Sequence, residues 1–367
     1  MPAAGKDGVA GAPRNFWGDT PATEEEYYAS QGIHGTKSYF SSPHGASLFT
    51  RSWMPLTPPL AAVFMIHGYG NDISWTFQST PIFLARSGFA CFALDLPGQG
   101  HSSGLRAFVP DLRAVADDCI TFFRSTLYSN PSLLALPKFL YGESMGGALC
   151  LLIHLRLKDL QNDDKDWSGA ILVAPMCKIA DDMRPRWPIP EILTLVARFL
   201  PTLPVVPTGD LVEKSVKVKE KRDVAMANPM RYLGKPRLGT VLELLRATDE
   251  LSRRLPEVSM PFLVLHGSGD VVTDPAVSKE LYATARSDDK SIKIYDGLWH
   301  SLQFGETEEN VEMFRRDVLN WLDRRCGRGD GGDAATAALW TVEACSLGTF
   351  GHELLCRWEL KVIVLQL

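Results

Sequence analysis

Short, almost wholly apolar runs recur along the chain, each ending in a glycine-rich or charged turn. Between them lie stretches whose apolar residues return at helical spacing. "AAVFMIHG", "FACFALDLPG", "KFLYGES" and "SGAILVAP" are runs of the first kind, "PFLVLHGSGD" repeats them later, and the more polar "SIKIYDG" continues the strand–helix alternation. Apolar runs without polar alternation predict strands buried on both faces, and their alternation with helices predicts a mostly parallel sheet. Helices are expected from Trp75 to Ser87, from Asp111 to Leu127, after Ser144, from Pro275, and from Thr307 to Arg325. Ahead of these, "TKSYFSS" and "SLFTRSW", joined by the turn-forming "PHG", predict a strand pair.

The alternation fails between Pro175 and Pro261. Prolines crowd "RPRWPIPEILTLVARFLPTLPVVP", a mixed-charge run follows ("EKSVKVKEKRD"), and "LGTVLELLRATDEL" has helical patterning. Residues 176–260 are therefore expected to form a helical lid over the carboxyl ends of the strands, inserted after the sixth strand. Residues 23–175 and 261–326 then make the core. Residues 1–22, rich in Ala, Gly and Pro, are expected to be a flexible segment. From Gly327 a glycine-rich break opens an appended tail, 327–367, whose apolar residues fit no sheet position.

Composition narrows the class. The 367 residues are 45% apolar and 22% charged, ordinary for a soluble globular protein, and the formal charge of −5 is interspersed. No basic stripe is present, so nucleic acid is not an expected partner. Seven scattered cysteines form no CxxC pair or Cys/His cluster, and Cys91, Cys119 and Cys150 read as small core residues. No apolar signal-like segment opens the chain and no long apolar span follows, so a cytoplasmic location is expected.

The chemistry starts in "KFLYGESMGGALCLLIHL", where Gly142, Ser144 and Gly146 match G-x-S-x-G between a strand and a helix. Such a turn lifts the serine Oγ clear of the backbone at a strained conformation, with glycines where side chains would clash. The helix that follows aims its free N–H groups and positive dipole end at the site, which suits a developing oxyanion. A serine needs a base and an orienter, which in this arrangement follow in the order acid, then histidine. Asp270 ends one resumed strand and His300 lies in the loop after the last. Asp274 competes as the acid but directly precedes Pro275 and reads as a helix N-cap. Asp296 lies too close to His300 in sequence to be preferred. The oxyanion donors are expected from the backbone N–H of Met145 and of Tyr69 in "HGYGND". His67 and Asp72 also fit an H-x-x-x-x-D pattern associated with acyltransferases, but His67 ends a buried strand and reads as architectural. His266 reads as a satisfied polar group, and Asp95 in "LDLPGQGHS" as a residue that holds loops in shape.

At "HGYGND", "GESMGG", "HGSGD" and "YDGLWHSL", together with "NFWG", "EEEYYASQGI", "KSYF" and "NPMRYLGKPRLGT", the chain resembles the plant monoacylglycerol lipase-like family that includes caffeoylshikimate esterase. The resemblance covers residues 15 to 325, lid included, and stops after Cys326. It implies an α/β-hydrolase fold with a helical cap. It also implies a nucleophile at Ser144, an acid at Asp270, a base at His300 and oxyanion donors at Tyr69 and Met145.

The expected protein is a serine esterase or lipase that works through an acyl-enzyme and needs no cofactor or metal. Its expected partner is a small-molecule ester: a monoacylglycerol, a lysophospholipid or caffeoylshikimate. The amphipathic lid stretch "EILTLVARFL" leaves a peripheral membrane contact open. Two alternatives keep the fold: an acyltransferase that passes the acyl group to an acceptor alcohol, and a non-catalytic small-molecule receptor.

Overall fold

The computed structural model describes residues 15–161, 167–178, 189–206 and 209–328. The chain clusters into a compact unit, Met1–Gly327, and a second, Arg328–Leu367, all of which except Arg328 lies outside the described residues. The expected tail therefore lies outside them too.

Eight strands form one sheet: β1 (Ile33–Ser41), β2 (Ser47–Pro55), β3 (Ala61–Ile66), β4 (Phe89–Leu94), β5 (Lys138–Glu143), β6 (Gly169–Val173), β7 (Phe262–Gly267) and β8 (Lys290–Tyr295). Their spatial order is β1-β2-β4-β3-β5-β6-β7-β8. β2 runs antiparallel to both its neighbours and all other pairs beyond it are parallel, so the sheet has the mostly parallel order of an α/β-hydrolase fold. Every residue of β3, β4, β6 and β7 is buried, as strands covered by helices on both faces must be. Edge strand β8 is buried only at Tyr295.

The helices that cover the sheet begin where capping chemistry allows. Asp111 caps α3 (Leu112–Ser129) by accepting from Arg113 and Ala114 N–H, and Thr307 caps α10 (Glu308–Arg325). The helix expected from Trp75 opens instead as a 3₁₀ turn, Thr76–Gln78, before α2 (Ser79–Arg86). α4 (Met145–Asp159) is buried along nearly its whole length, and its Cys150 and Cys119 of α3 both lie in the core.

At the amino end, residues 1–14 lie outside the described residues, but the rest of the expected flexible segment is packed. Trp17 stacks on Tyr27 with ring centroids 4.3 Å apart and donates from Nε1 to Pro21 O. Tyr27 belongs to α1 (Glu24–Ser30), which Thr23 and Glu26 start with a capping box.

Between β6 and β7 lie α5 (Ile189–Phe199), α6 (Leu211–Ser215), α7 (Lys219–Met226) and α8 (Leu238–Arg254). The sequence puts all of these in the lid, yet α8 packs against α3 and α4, helices of the core. Its Ala247 and Leu251 join the main core cluster, Glu243 accepts from Leu112 N–H at 2.8 Å, and Glu250 pairs with Arg113. The reason is topological: adjacent parallel strands β6 and β7 need a crossover connection, and α8 is the part of it that returns to the helices of the core. The helices ahead of α8, α5 to α7, make up the rest of the insertion between β6 and β7.

Candidate active site

The turn from β5 into α4 holds Ser144 at φ 54°, ψ −115°, a conformation that costs a non-glycine residue on the order of 1–3 kcal/mol. Its surroundings fix it there. Ser144 N–H donates to Val173 O at 2.9 Å, and Ser144 O accepts from Met176 N–H at 3.0 Å, so the neighbouring strand β6 and the residues after it grip the turn. The flanking glycines are required by space: a Cβ on Gly146 would fall 2.1 Å from Ile66 O, and one on Gly142 would fall 2.3 Å from Gly146 O. Met145 is the first residue of α4, so its N–H has no partner within the helix. Among the described residues neither it nor the Tyr69 N–H has an acceptor.

Asp270 follows β7 and His300 follows β8, and the structure brings them together: His300 Nδ1 lies 2.6 Å from Asp270 Oδ2. The other oxygen, Oδ1, accepts from Val272 N–H at 2.7 Å and Thr273 N–H at 3.1 Å. Burial alone would raise the Asp270 pKa, but hydrogen bonds from His266 and His300 outweigh it and hold the carboxyl below its ordinary value. Asp270 is thus an anion positioned to accept the proton of His300 Nδ1, which leaves Nε2 as the unprotonated nitrogen of the neutral ring.

The rival acids are occupied elsewhere. Asp274 Oδ1 accepts from Ala276 N–H at the start of α9 (Pro275–Thr284), so it is the N-cap that its place before Pro275 suggests. Asp296 accepts from Ser268 Oγ. His67 is fully buried. Its Nε2 accepts from Leu96 N–H at 3.0 Å, which leaves Nδ1 as the donor to Gly68 O at 2.8 Å. Burial lowers its pKa, and with both nitrogens committed it serves the loop architecture. Asp95 braces two loops by accepting from Ile73 and His101 N–H, both at 2.7 Å. Burial, reinforced by Asp72, pushes its pKa up to about 7.

Several supports escaped sequence reasoning. His266 is satisfied, as expected, with Nδ1 2.7 Å from Ser278 Oγ, yet its Nε2 also donates toward Asp270 Oδ2 at 3.0 Å. The four-residue spacing in "HGSGD" was the only signal for that. Glu143, the variable residue of the elbow, is fully buried, and burial pushes its pKa up to about 8. Tyr141 Oη donates to its Oε1 at 3.0 Å and Gln303 Nε2 to its Oε2 at 2.7 Å. Gln303 follows His300 by three residues, so this bond ties the histidine loop to the serine strand. Nothing in the spacing of a lone Glu and a lone Gln announces such a pair.

No group of His, Cys, Asp and Glu able to hold a metal ion occurs among the described residues. No described helix is long and apolar enough to cross a membrane.

Residues 57–308 match the protein family described as "Serine aminopeptidase, S33". The chain is 41% identical over 332 residues to a caffeoylshikimate esterase of Arabidopsis thaliana, covering 89% of this chain and 97% of that protein. It is 29% identical over 296 residues to a monoglyceride lipase of Homo sapiens, covering 78% and 92%. Among solved structures, a soluble variant of monoglyceride lipase from Saccharomyces cerevisiae, in complex with a substrate analog, superposes with a TM-score of 0.68 at 24% identity. That match covers 80% of this chain and 95% of the other, and it bears on the fold.

Proposed function

The chain belongs to the serine aminopeptidase-type hydrolase family, and from that membership we propose that it is a carboxylic ester hydrolase using Ser144, His300 and Asp270. The single observation that carries the reading is the pairing of two features: a strained serine at the head of a buried helix, and a histidine–carboxylate pair at the ends of β7 and β8. His300 Nε2 takes the Ser144 proton as Oγ attacks the ester carbonyl. Asp270 holds the imidazole tautomer and stabilises the imidazolium. The N–H groups of Tyr69 and Met145 receive the oxyanion, each donor being worth ~3–4 kcal/mol of barrier in comparable sites. The alcohol leaves with the proton from His300, and water activated by the same nitrogen releases the acid. The residues alone supply this chemistry, without a cofactor.

For the substrate, the 41% identity favours caffeoylshikimate, the ester in the Arabidopsis relative's name. A second reading, a monoacylglycerol or lysophospholipid, draws on the cap, where Leu195, Phe199 and Leu200 are all more than half exposed on and just after α5. Those side chains also suit a peripheral contact with a membrane surface. Parallel assays of caffeoylshikimate, a monoacylglycerol and lysophosphatidylcholine test the choice. The highest kcat/KM on caffeoylshikimate supports the first reading, a lipid preference supports the second, and no hydrolysis of any ester refutes both.

A further inference from the structure

Cap helix α7 stands between the two loops that flank Ser144. On its amino side Ser215 O accepts from Ser301 N–H at 3.0 Å, and Gly305 O accepts from Lys217 and Val218 N–H at 2.9 and 3.0 Å. These bonds fasten the cap to the loop that bears His300. On its carboxyl side Trp75 Nε1 donates to Val224 O at 2.7 Å, and Asn228 Nδ2 donates to Asp72 Oδ2 at 2.6 Å. These fasten it to the loop that bears Tyr69.

Asp72 is the part of the H-x-x-x-x-D pattern for which the esterase chemistry has no use. It is 1% exposed. Its Oδ1 accepts from Ser74 N–H at 2.8 Å, and its Oδ2 faces Asn228. Asn228 is itself fixed, because its Oδ1 accepts from Met230 N–H at 2.9 Å. From the core side Gln99 Oε1 accepts from Gly70 N–H at 2.6 Å and Asp95 from Ile73 N–H. The core thus holds the loop at Gly70 and Ile73, and the cap holds it at Asp72 between them. Oδ2 of this buried carboxylate has Asn228 as its donor, and a buried charged oxygen is costly to leave unpaired, so the loop's conformation depends on that donor.

We propose that Asn228 is a positioning residue: through its bond to Asp72 the cap fixes the loop that aims the Tyr69 N–H at the oxyanion. The proposal rests on the oxyanion role given to Tyr69 above. It makes the cap a working part of the transition-state site as well as a cover for the substrate.

The test uses Asn228→Ala, Asn228→Asp and the exchange Asp72→Asn/Asn228→Asp. In the exchange the bond reverses direction: Asn at 72 keeps its oxygen on Ser74 N–H and donates to Asp at 228, whose second oxygen still accepts from Met230. Each variant is assayed with p-nitrophenyl acetate and with a trifluoromethyl ketone, whose adduct with Ser144 carries an oxyanion. Asn228→Asp is expected to lower kcat ~10²-fold, the scale of losing or misplacing one oxyanion donor, with KM little changed. Affinity for the ketone falls in parallel, and the exchange restores both to within severalfold. A mere anchor for the cap would raise KM and leave kcat and ketone binding alone, which overturns the proposal. So does an exchange variant that melts like wild type yet stays inactive. Ser144→Ala is run alongside: full activity in that variant sinks the esterase reading itself, whereas its inactivity beside an unaffected Asn228→Asp sinks only the positioning role.

Discussion

Replacing Asp270 by asparagine changes one atom, and the structure dictates where that atom goes. Oδ1 accepts two backbone N–H groups, from Val272 and Thr273, so the amide oxygen must occupy that place. An NH₂ group there would meet two donors. The NH₂ then faces His300 Nδ1, which sits 2.6 Å from Oδ2 in the native protein. To avoid donor against donor, the imidazole shifts its proton to Nε2. A protonated Nε2 cannot take the proton of Ser144, so the base is lost although no side chain has moved. His266 Nε2 meets the same NH₂ but also lies 3.1 Å from Thr273 O, so it keeps its proton for that carbonyl and its tautomer does not change. In an unrelated triad the equivalent change costs ~10⁴ in kcat, about 5 kcal/mol of barrier, and the same scale is expected here. The assay is kcat on p-nitrophenyl butyrate, with a melting curve to confirm folding. A folded Asp270→Asn protein retaining more than a tenth of wild-type kcat would refute the reasoning, as would Asp274→Asn proving the more damaging change.

Two further predictions separate support from chemistry. Asp274→Ala removes the cap of α9 and should cost about 1 kcal/mol of stability with kcat unchanged; a large loss of kcat would return Asp274 to candidacy as the acid. Glu143→Gln should remove a pH dependence of stability. With its folded pKa pushed up to about 8 from an ordinary 4.5, native Glu143 keeps a proton that the unfolded chain has lost. Wild type should therefore lose about 1.4 kcal/mol per pH unit as pH rises through that window, and the glutamine variant should lack this slope. Urea unfolding at pH 5, 7 and 9 reads the difference, and parallel stability curves for the two proteins would show that Glu143 does not titrate there.

The sheet was legible because parallel strands buried on both faces have to be apolar runs, and "AAVFMI" and "FACFAL" are little else. The positions of Ser144 and Asp270 were legible because each follows a buried strand, and that of His300 because it lies in the loop after the last strand, places that sequence can locate. The boundary of the cap was not. α8 carries the same amphipathic pattern whether it faces a lid or the helices of the core, and only the need for a crossover between β6 and β7 decides. The supports were hidden for a different reason. Glu143 and Gln303 are 160 residues apart and Asp72 and Asn228 are 156 apart, and no local spacing reports a hydrogen bond made through the fold. His67 and Asp72 looked like a pair because they are near in sequence, yet His67 binds Leu96 and Gly68 while Asp72 binds the cap.

The central claim is that Ser144 Oγ is the nucleophile, and covalent capture tests it most directly. The protein is treated with a fluorophosphonate, its intact mass is read, and the modified peptide is sequenced by tandem mass spectrometry. The account predicts one adduct per chain, on Ser144, with loss of ester hydrolysis in proportion and no adduct in Ser144→Ala. An adduct on another residue, or full hydrolysis by Ser144→Ala, would contradict it.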